Sequence, residues 1–368
     1  MLYKKRLSNF ELLRIISMIM IIGHHYVIHG IMHRYMADEF VLWRTGSLFN
    51  KLFTSVLYVG GRVGVGLFFA ITGYFMINKK KASLKRTMLE WLYYLILLFI
   101  FIGIYGIFEI FKYGFSFGII QYIIVNSYII LPITNYWWFV TVYALLIFCL
   151  PVINLNVNKL SKKGFLSLLI IILALLAIFD YNSSYQSFTI GLFYYLLGGY
   201  IRKFKNPLSR MKKIVVLLLI CIIWLVSAVT VYSYYMYNNG LINIVENFAY
   251  FGILIPIIIY FIFRFFQSID IGSNKYINTI SKTTFGIYLL HDSVFVRQMI
   301  WHHIFQVDKN QYGSQYCFIY VILTIGVIFI VCSICDLFRI RFIEPRMINS
   351  FDRHRYTFRK HFLNNEEI

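Results

Sequence analysis

The sequence predicts an all-α, polytopic integral membrane protein with about ten transmembrane helices and both termini cytoplasmic. Three observations carry this. Of 368 residues, 60% are hydrophobic and only 14% charged, against roughly 25% charged in soluble domains. Mean hydropathy is +0.71. The apolar runs reach the roughly 20 residues that a helix needs to cross hydrocarbon. No alternating strand signal of a membrane barrel accompanies them, so helices are left to satisfy the backbone in lipid.

In chain order the spans fall at roughly 10–29, 53–77, 88–111, 136–155, 164–180, 188–202, 213–236, 245–266, 283–305 and 316–338. The first follows a basic start but lacks a small-residue cleavage site, so it reads as a retained helix rather than a signal peptide. With the N-terminus inside, the inner segments hold 27 of the 35 Lys and Arg and the outer loops only 5, as the positive-inside rule requires. The apolar stretch 117–131 is a rival eleventh span. Counting it would move the basic loops at 159–163 and 202–213 outside, so it is expected as a re-entrant or interfacial element. Residues 1–338 form one transmembrane domain and 339–368 a basic cytoplasmic tail.

The formal charge of +20 follows from the same asymmetry. It is a membrane-lipid and topology charge, and no nucleic-acid motif accompanies it. The five cysteines, Cys149, Cys221, Cys317, Cys332 and Cys335, lie in or beside spans and read as small packing residues.

Ionisable side chains at membrane depth are costly and mark function. Arg14 and His25 share the first span and, eleven residues apart, one helix face, separated by about 16 Å of axis. That spacing suits bridging two groups rather than a local salt bridge. His24 points roughly 100° away, as a second catalytic group or a packed, hydrogen-bonded ring. His29 and His33 continue the His25 face. With no carboxylate or cysteine beside them they read as a solvated helix end, and no metal is expected. Arg62 is expected at the outer surface at the start of span two, either snorkelling or touching an anionic or acyl group. Arg297 is expected near the middle of span nine, facing a partner or a wet cavity. His291, Gln298 and His302 would share another face of that span. Glu90 and Glu109 are each able to pair with a buried arginine. Tyr136-Trp137-Trp138 reads as an interfacial belt, or as a sugar-stacking platform.

Four motifs resemble one family. Glu11-Leu12-Leu13-Arg14, a ten-residue gap and His25 are similar to the opening helix of the acyltransferase-3 family, membrane-bound O-acyltransferases of the surface-polysaccharide O-acetylase type. Gly64-Val65-Gly66-Leu67-Phe68-Phe69-Ala70-Ile71-Thr72-Gly73-Tyr74-Phe75 resembles its Gly-Val-x-x-Phe-Phe-x-x-Ser-Gly-Phe signature, with Thr72 in place of serine. Trp138-Phe139-Val140 with Tyr143 resembles its fourth span, although Tyr143 stands where one branch has glutamate. Phe285-Gly286-Ile287-Tyr288-Leu289-Leu290-His291 resembles its late Tyr-Leu-x-His motif.

The resemblance implies an enzyme that moves an acyl group, expected to be acetyl, from acetyl-CoA to a hydroxyl of a cell-surface or capsular polysaccharide or its lipid-linked precursor. Such transfer needs a base for the hydroxyl proton, a donor to the developing oxyanion and a grip on the acyl carrier. His25, with His24 beside it, is expected as base or transient acyl acceptor. Arg14 is expected to position the donor, with Arg62, Thr72 and Gly73 also at the donor site. His291, Arg297, Trp138 and Tyr288 are expected to bind substrate or to hold the site. Gly64, Gly66 and Gly73 are also expected to let helices approach closely. Expected partners are membrane lipid, acyl-CoA, the glycan acceptor and polysaccharide-assembly proteins, but no nucleic acid. The expected location is the bacterial plasma membrane. A lipid-linked oligosaccharide flippase or polysaccharide polymerase would also place arginines and histidines at membrane depth, and stands as the alternative.

Overall fold

A computed structural model describes residues 7–32, 40–80, 85–113, 137–178, 184–237 and 253–350, and contains no strand among them. The expected element at 117–131, part of span eight and the chain beyond 350 lie outside the described residues. The helices are α1 (Ser8–His25), which runs on as a π-helical stretch Tyr26–Ile31, α2 (Val41–Thr45), α3 (Leu48–Met76), α4 (Lys85–Tyr113), α5 (Trp138–Val157), α6 (Lys162–Ile178) and α7 (Ser184–Phe204). Then follow α8 (Arg210–Tyr237), α9 (Ile255–Gln267), α10 (Lys275–Ile280), a 3-10 turn Ser281–Thr283, α11 (Thr284–His291), α12 (Val294–Gln298) and α13 (Cys317–Phe338). Two further π-helical stretches, Met299–Ile304 and Val307–Gln311, lie between α12 and α13.

Among the described residues, five helical segments are long and apolar enough to cross a membrane: Ser8–Ile31, Leu48–Met76, Trp138–Val157, Arg210–Tyr237 and Cys317–Ser350. Burial separates them into centre and rim. The apolar windows of the first two are 67% buried, while that of α8 is 22% buried. Accordingly Ile214, Leu218, Ile222, Leu225 and Val229 of α8 are exposed, the apolar face a lipid-facing helix presents. The lone cysteines fit this pattern: Cys332 of α13 is buried and Cys335 exposed, and all five are free thiols.

α3 is the hub, packed against α1, α7, α8 and α9. Small residues allow the approach. A methyl at Gly64 would stand 2.6 Å from the Ser17 carbonyl oxygen of α1. One at Gly73 would overlap the Tyr195 carbonyl of α7, and one at Gly198 the Ala70 carbonyl of α3. Without such residues, helices lacking a hydrophobic drive toward each other in lipid could not reach backbone contact. The C-terminal end of α3 is closed from the side: the Asn154 amide of α5 donates to the carbonyls of Met76 and Lys79, both at 2.8 Å, satisfying acceptors a helix end leaves open.

Three departures from the sequence expectation concern the helices themselves. α3 starts at Leu48, so Arg62 lies near the middle of a 29-residue helix rather than at a surface. The expected span nine is not one helix. It breaks at Asp292-Ser293 between α11 and α12, so His291, Gln298 and His302 do not share a continuous face. Finally, α13 continues through a π-helical turn, Arg339–Ile343, and Arg339, expected among the tail charges, is 2% exposed.

Candidate functional site

α1 lies against α11, and this pairing builds the site. The Nδ1 of His25 meets the Nε2 of His291 at 2.9 Å, across 266 residues of sequence. The other ring nitrogen of His291, Nδ1, lies 2.6 Å from the Ile287 carbonyl oxygen one turn back. A carbonyl only accepts, so His291 Nδ1 carries a proton. In neutral His291 the Nε2 then accepts, so His25 Nδ1 donates. His25 is thereby left with a lone pair on Nε2.

The next residue, Asp292, gathers the rest. Its Oδ1 lies 2.8 Å from the Arg297 guanidinium, 3.5 Å from His29 Nε2 and 3.6 Å from His25 Nδ1. Arg297 also donates to the Asp292 carbonyl at 3.1 Å. Arg297 thus faces a partner, as expected, but as the counter-ion of the carboxylate and not from the middle of an unbroken span. His29 is buried rather than solvated, and Asp292 supplies the carboxylate that the sequence seemed to lack. Both parts of the solvated-helix-end reading of His29 are overturned, because a residue 263 positions away closes over it. His25, His29 and Asp292 place three ligand-type atoms within 4.8 Å of one another. Arg297 already supplies positive charge to the shared carboxylate oxygen, where a metal ion would have to compete with it. His33 lies outside the described residues.

Toward the N-terminus of α1 the same face lines a cavity of about 350 Å³. Arg14, Met18 and Ile21 form one wall, Val65, Phe68 and Thr72 of α3 another, and Phe139, Tyr143, Phe285 and Tyr288 a third. One turn beyond Ile21 stands His25. The cavity therefore runs along α1 from Arg14 toward the histidine pair. Arg14 is not isolated: its guanidinium bonds both Glu11 carboxylate oxygens, at 3.0 and 2.9 Å. Glu11 in turn accepts from the Ser281 hydroxyl. The local salt bridge that the Arg14–His25 spacing argued against forms with a third residue, one turn away.

The remaining expected residues divide. Tyr288 is on the cavity wall and 5% exposed, its ring edge-on to Phe139 at 5.6 Å. Thr72 lines the same cavity, its hydroxyl donating to the Phe68 carbonyl at 2.9 Å. Gly73, expected at the donor site, is spent on the α3–α7 contact, because Tyr195 backbone fills the space beside it. His24 is packed and hydrogen-bonded. Its Nδ1 is 2.7 Å from the Tyr58 carbonyl, and its ring fills the space a side chain at Gly61 would need. Arg62 and Trp138 line a separate small pocket of about 30 Å³ with Tyr194 and Ile255.

A second buried cluster flanks the other end of α11. Arg339 binds Asp336 at 2.6 Å, Glu90 at 2.9 Å and Glu344 at 3.2 Å, and the Tyr94 hydroxyl donates to Asp336. Glu90 is thus the glutamate of span three that finds a buried arginine; the Glu109 side chain lies outside the described residues. Any side chain at Gly286 would overlap the Asp336 carboxylate, which gives the glycine of Phe285-Gly286-Ile287-Tyr288 a packing reason.

Sequence reasoning missed Asp292 and the role of His29. The available signal was adjacency, since Asp292 directly follows the motif histidine.

A helical membrane protein with a buried histidine pair one turn beyond the lining of a cavity has parts that suit acyl transfer. The comparison with protein families agrees: residues 7–336 match the acyltransferase-3 family, described as an acyltransferase domain. That is nearly the whole chain, and the protein belongs to this family. No curated protein and no solved structure matches it.

Proposed function

We propose that this membrane acyltransferase moves an acetyl group from acetyl-CoA to a hydroxyl of a cell-surface or capsular polysaccharide, or of its lipid-linked precursor, as a multi-pass protein of the bacterial plasma membrane. The observation that carries the reading is the His291–His25 hydrogen bond, one helical turn beyond the Ile21 and Tyr288 lining of the Arg14 cavity. The thioester arm enters from the Arg14 side, taken as cytoplasmic, with its carbonyl toward His25.

The acceptor oxygen attacks the thioester carbonyl carbon. His25 Nε2 takes the hydroxyl proton as the C–O bond forms. The carbon–sulfur bond breaks, the proton passes to the leaving thiolate, and the products are the acetyl ester and free CoA. His291 is a positioning residue: it fixes the His25 tautomer, as the partner of a catalytic imidazole generally does. Asp292 favours the transient imidazolium, and Arg297 keeps that carboxylate ionised and in place. Arg14 adds a cation for the donor, with Glu11 and Ser281 setting its direction.

Membranes holding the protein, incubated with acetyl-labelled acetyl-CoA, should place label in surface glycan. His25→Ala should abolish the labelling while the protein remains in the membrane. Glycan that stays unlabelled but is still exported or polymerised through this protein would instead identify a flippase or polymerase.

A further inference from the structure

We propose that Lys282 is the phosphate-binding residue at the mouth of the cavity, and that it makes the site prefer an acyl group carried on a phosphorylated handle. The proposal rests on the acyl-donor reading above and names the residue that recognises the donor's charge.

The two ends of the cavity differ. Ile21, Phe139 and Tyr288 at the histidine end are buried, as are Ser281 and Thr284 at the other, and Lys282 is the one residue of the lining that is exposed. The open end is therefore the end with Lys282. A volume of about 350 Å³ is near the lower limit for ligand pockets, roughly 300–1,000 Å³. It has room for a narrow thioester arm but not for a nucleotide as well. The phosphates of a CoA-type donor must then stay at the mouth.

Each of the other charges of the lining is held in an ion pair, Arg14 along the cavity wall rather than at its mouth. Arg14 is bound by both oxygens of Glu11, and Glu90 lies against Arg339. Lys282 makes no ion pair among the described residues. Its backbone is nevertheless fixed, because it sits in the 3-10 turn Ser281–Thr283 between two anchored neighbours. Ser281 donates to Glu11, Thr283 to the Ile280 carbonyl at 2.8 Å, and Thr284 back to the Ser281 carbonyl at 2.9 Å. An exposed, uncommitted ammonium on a rigid turn at the mouth suits a phosphate, which lysine binds as a point charge with rotatable donors.

The test compares two donors, acetyl-CoA and acetyl-pantetheine, which lacks every phosphate. Initial rates of thiol release are measured on the full-length protein in membranes with a surface-glycan fraction as acceptor, and the ratio of the two kcat/KM values is the readout. Lys282→Ala should reduce the preference for acetyl-CoA about tenfold, the effect of a contact near 1.4 kcal/mol. Lys282→Arg should restore it, and high salt should shrink the wild-type preference toward that of the alanine variant. General damage to the fold would lower both rates and leave the ratio alone, so an unchanged ratio in Lys282→Ala overturns the proposal. If the wild-type protein transfers from neither donor, the acyl-donor reading itself falls, and the role of Lys282 with it. If it uses both and only the ratio fails to move, that reading survives and the Lys282 assignment alone is lost.

Discussion

The two buried charge clusters flanking α11 are near inversions of each other. At one end a cation is ringed by anions: Arg339 is bonded by Asp336, Glu90 and Glu344. At the other an anion is ringed by basic groups: one oxygen of Asp292 faces Arg297, His29 and His25. The first cluster has no group that changes charge near neutrality. Its guanidinium is permanently protonated, and its bonds tie α4 and α13 across the bundle. The second contains three histidines, the side chain whose protonation ordinarily changes near neutral pH. On the proposed mechanism one cluster holds the fold and the other exchanges a proton, although both are buried and ionic.

Four substitutions sharpen that contrast, from the largest effect to the smallest. Arg339→Ala strands three buried carboxylates, and breaking a buried ion pair in this way costs about 3–5 kcal/mol. The expected result is loss of folded protein, read as a collapse of the monodisperse peak and of the melting temperature in detergent. His25→Ala should instead leave the melting curve close to wild type and lower acetyl transfer by about 10² to 10⁴, the usual contribution of a general base. Asp292→Asn keeps the shape of the second cluster but removes its charge. Here kcat should fall about tenfold to a hundredfold with KM for acetyl-CoA little changed, since the residue touches His25 and not the donor. A matched rise in KM would assign Asp292 to donor binding. His24→Asn should cost about 1 kcal/mol of stability or less, with transfer within a few-fold of wild type. If His24→Asn were as inactive as His25→Ala, the division between the adjacent histidines would be wrong.

Much of this was legible in the sequence because the code for it is local. Helical class follows from long apolar runs. The Arg14–His25 face follows from helical spacing. The Tyr288-Leu289-Leu290-His291 motif carries the partner of His25 in plain view. Some misreadings depend on distant segments and others on local helix bounds. His29 was read as solvated because nothing near it in sequence is acidic, yet Asp292 arrives from α11. The partner in the close approach at Gly73, the Tyr195 backbone of α7, was likewise out of sight in the sequence. Arg62 was read as opening a span that already began at 53, and α3 begins earlier still, at Leu48, which puts Arg62 at mid-helix. The break after His291 was hidden by an apolar run long enough to be a span. There Asp292 ends α11, and the turn that follows lets Arg297 reach back to it.

The π-helical stretch Tyr26–Ile31 has a consequence for how this first helix tolerates change in length. A π turn holds an extra residue relative to an α turn, so the stretch behaves as an insertion absorbed within a continuous helix. Deleting Val27 there would return the segment to α geometry with the residues beyond it still in phase. Arg14 and His25 would keep their positions, and His29 would stay beside Asp292, whereas the same deletion within Ser8–His25 would turn everything beyond it by about 100°. The first helix thus tolerates a change of length in this turn that it would not tolerate between Arg14 and His25.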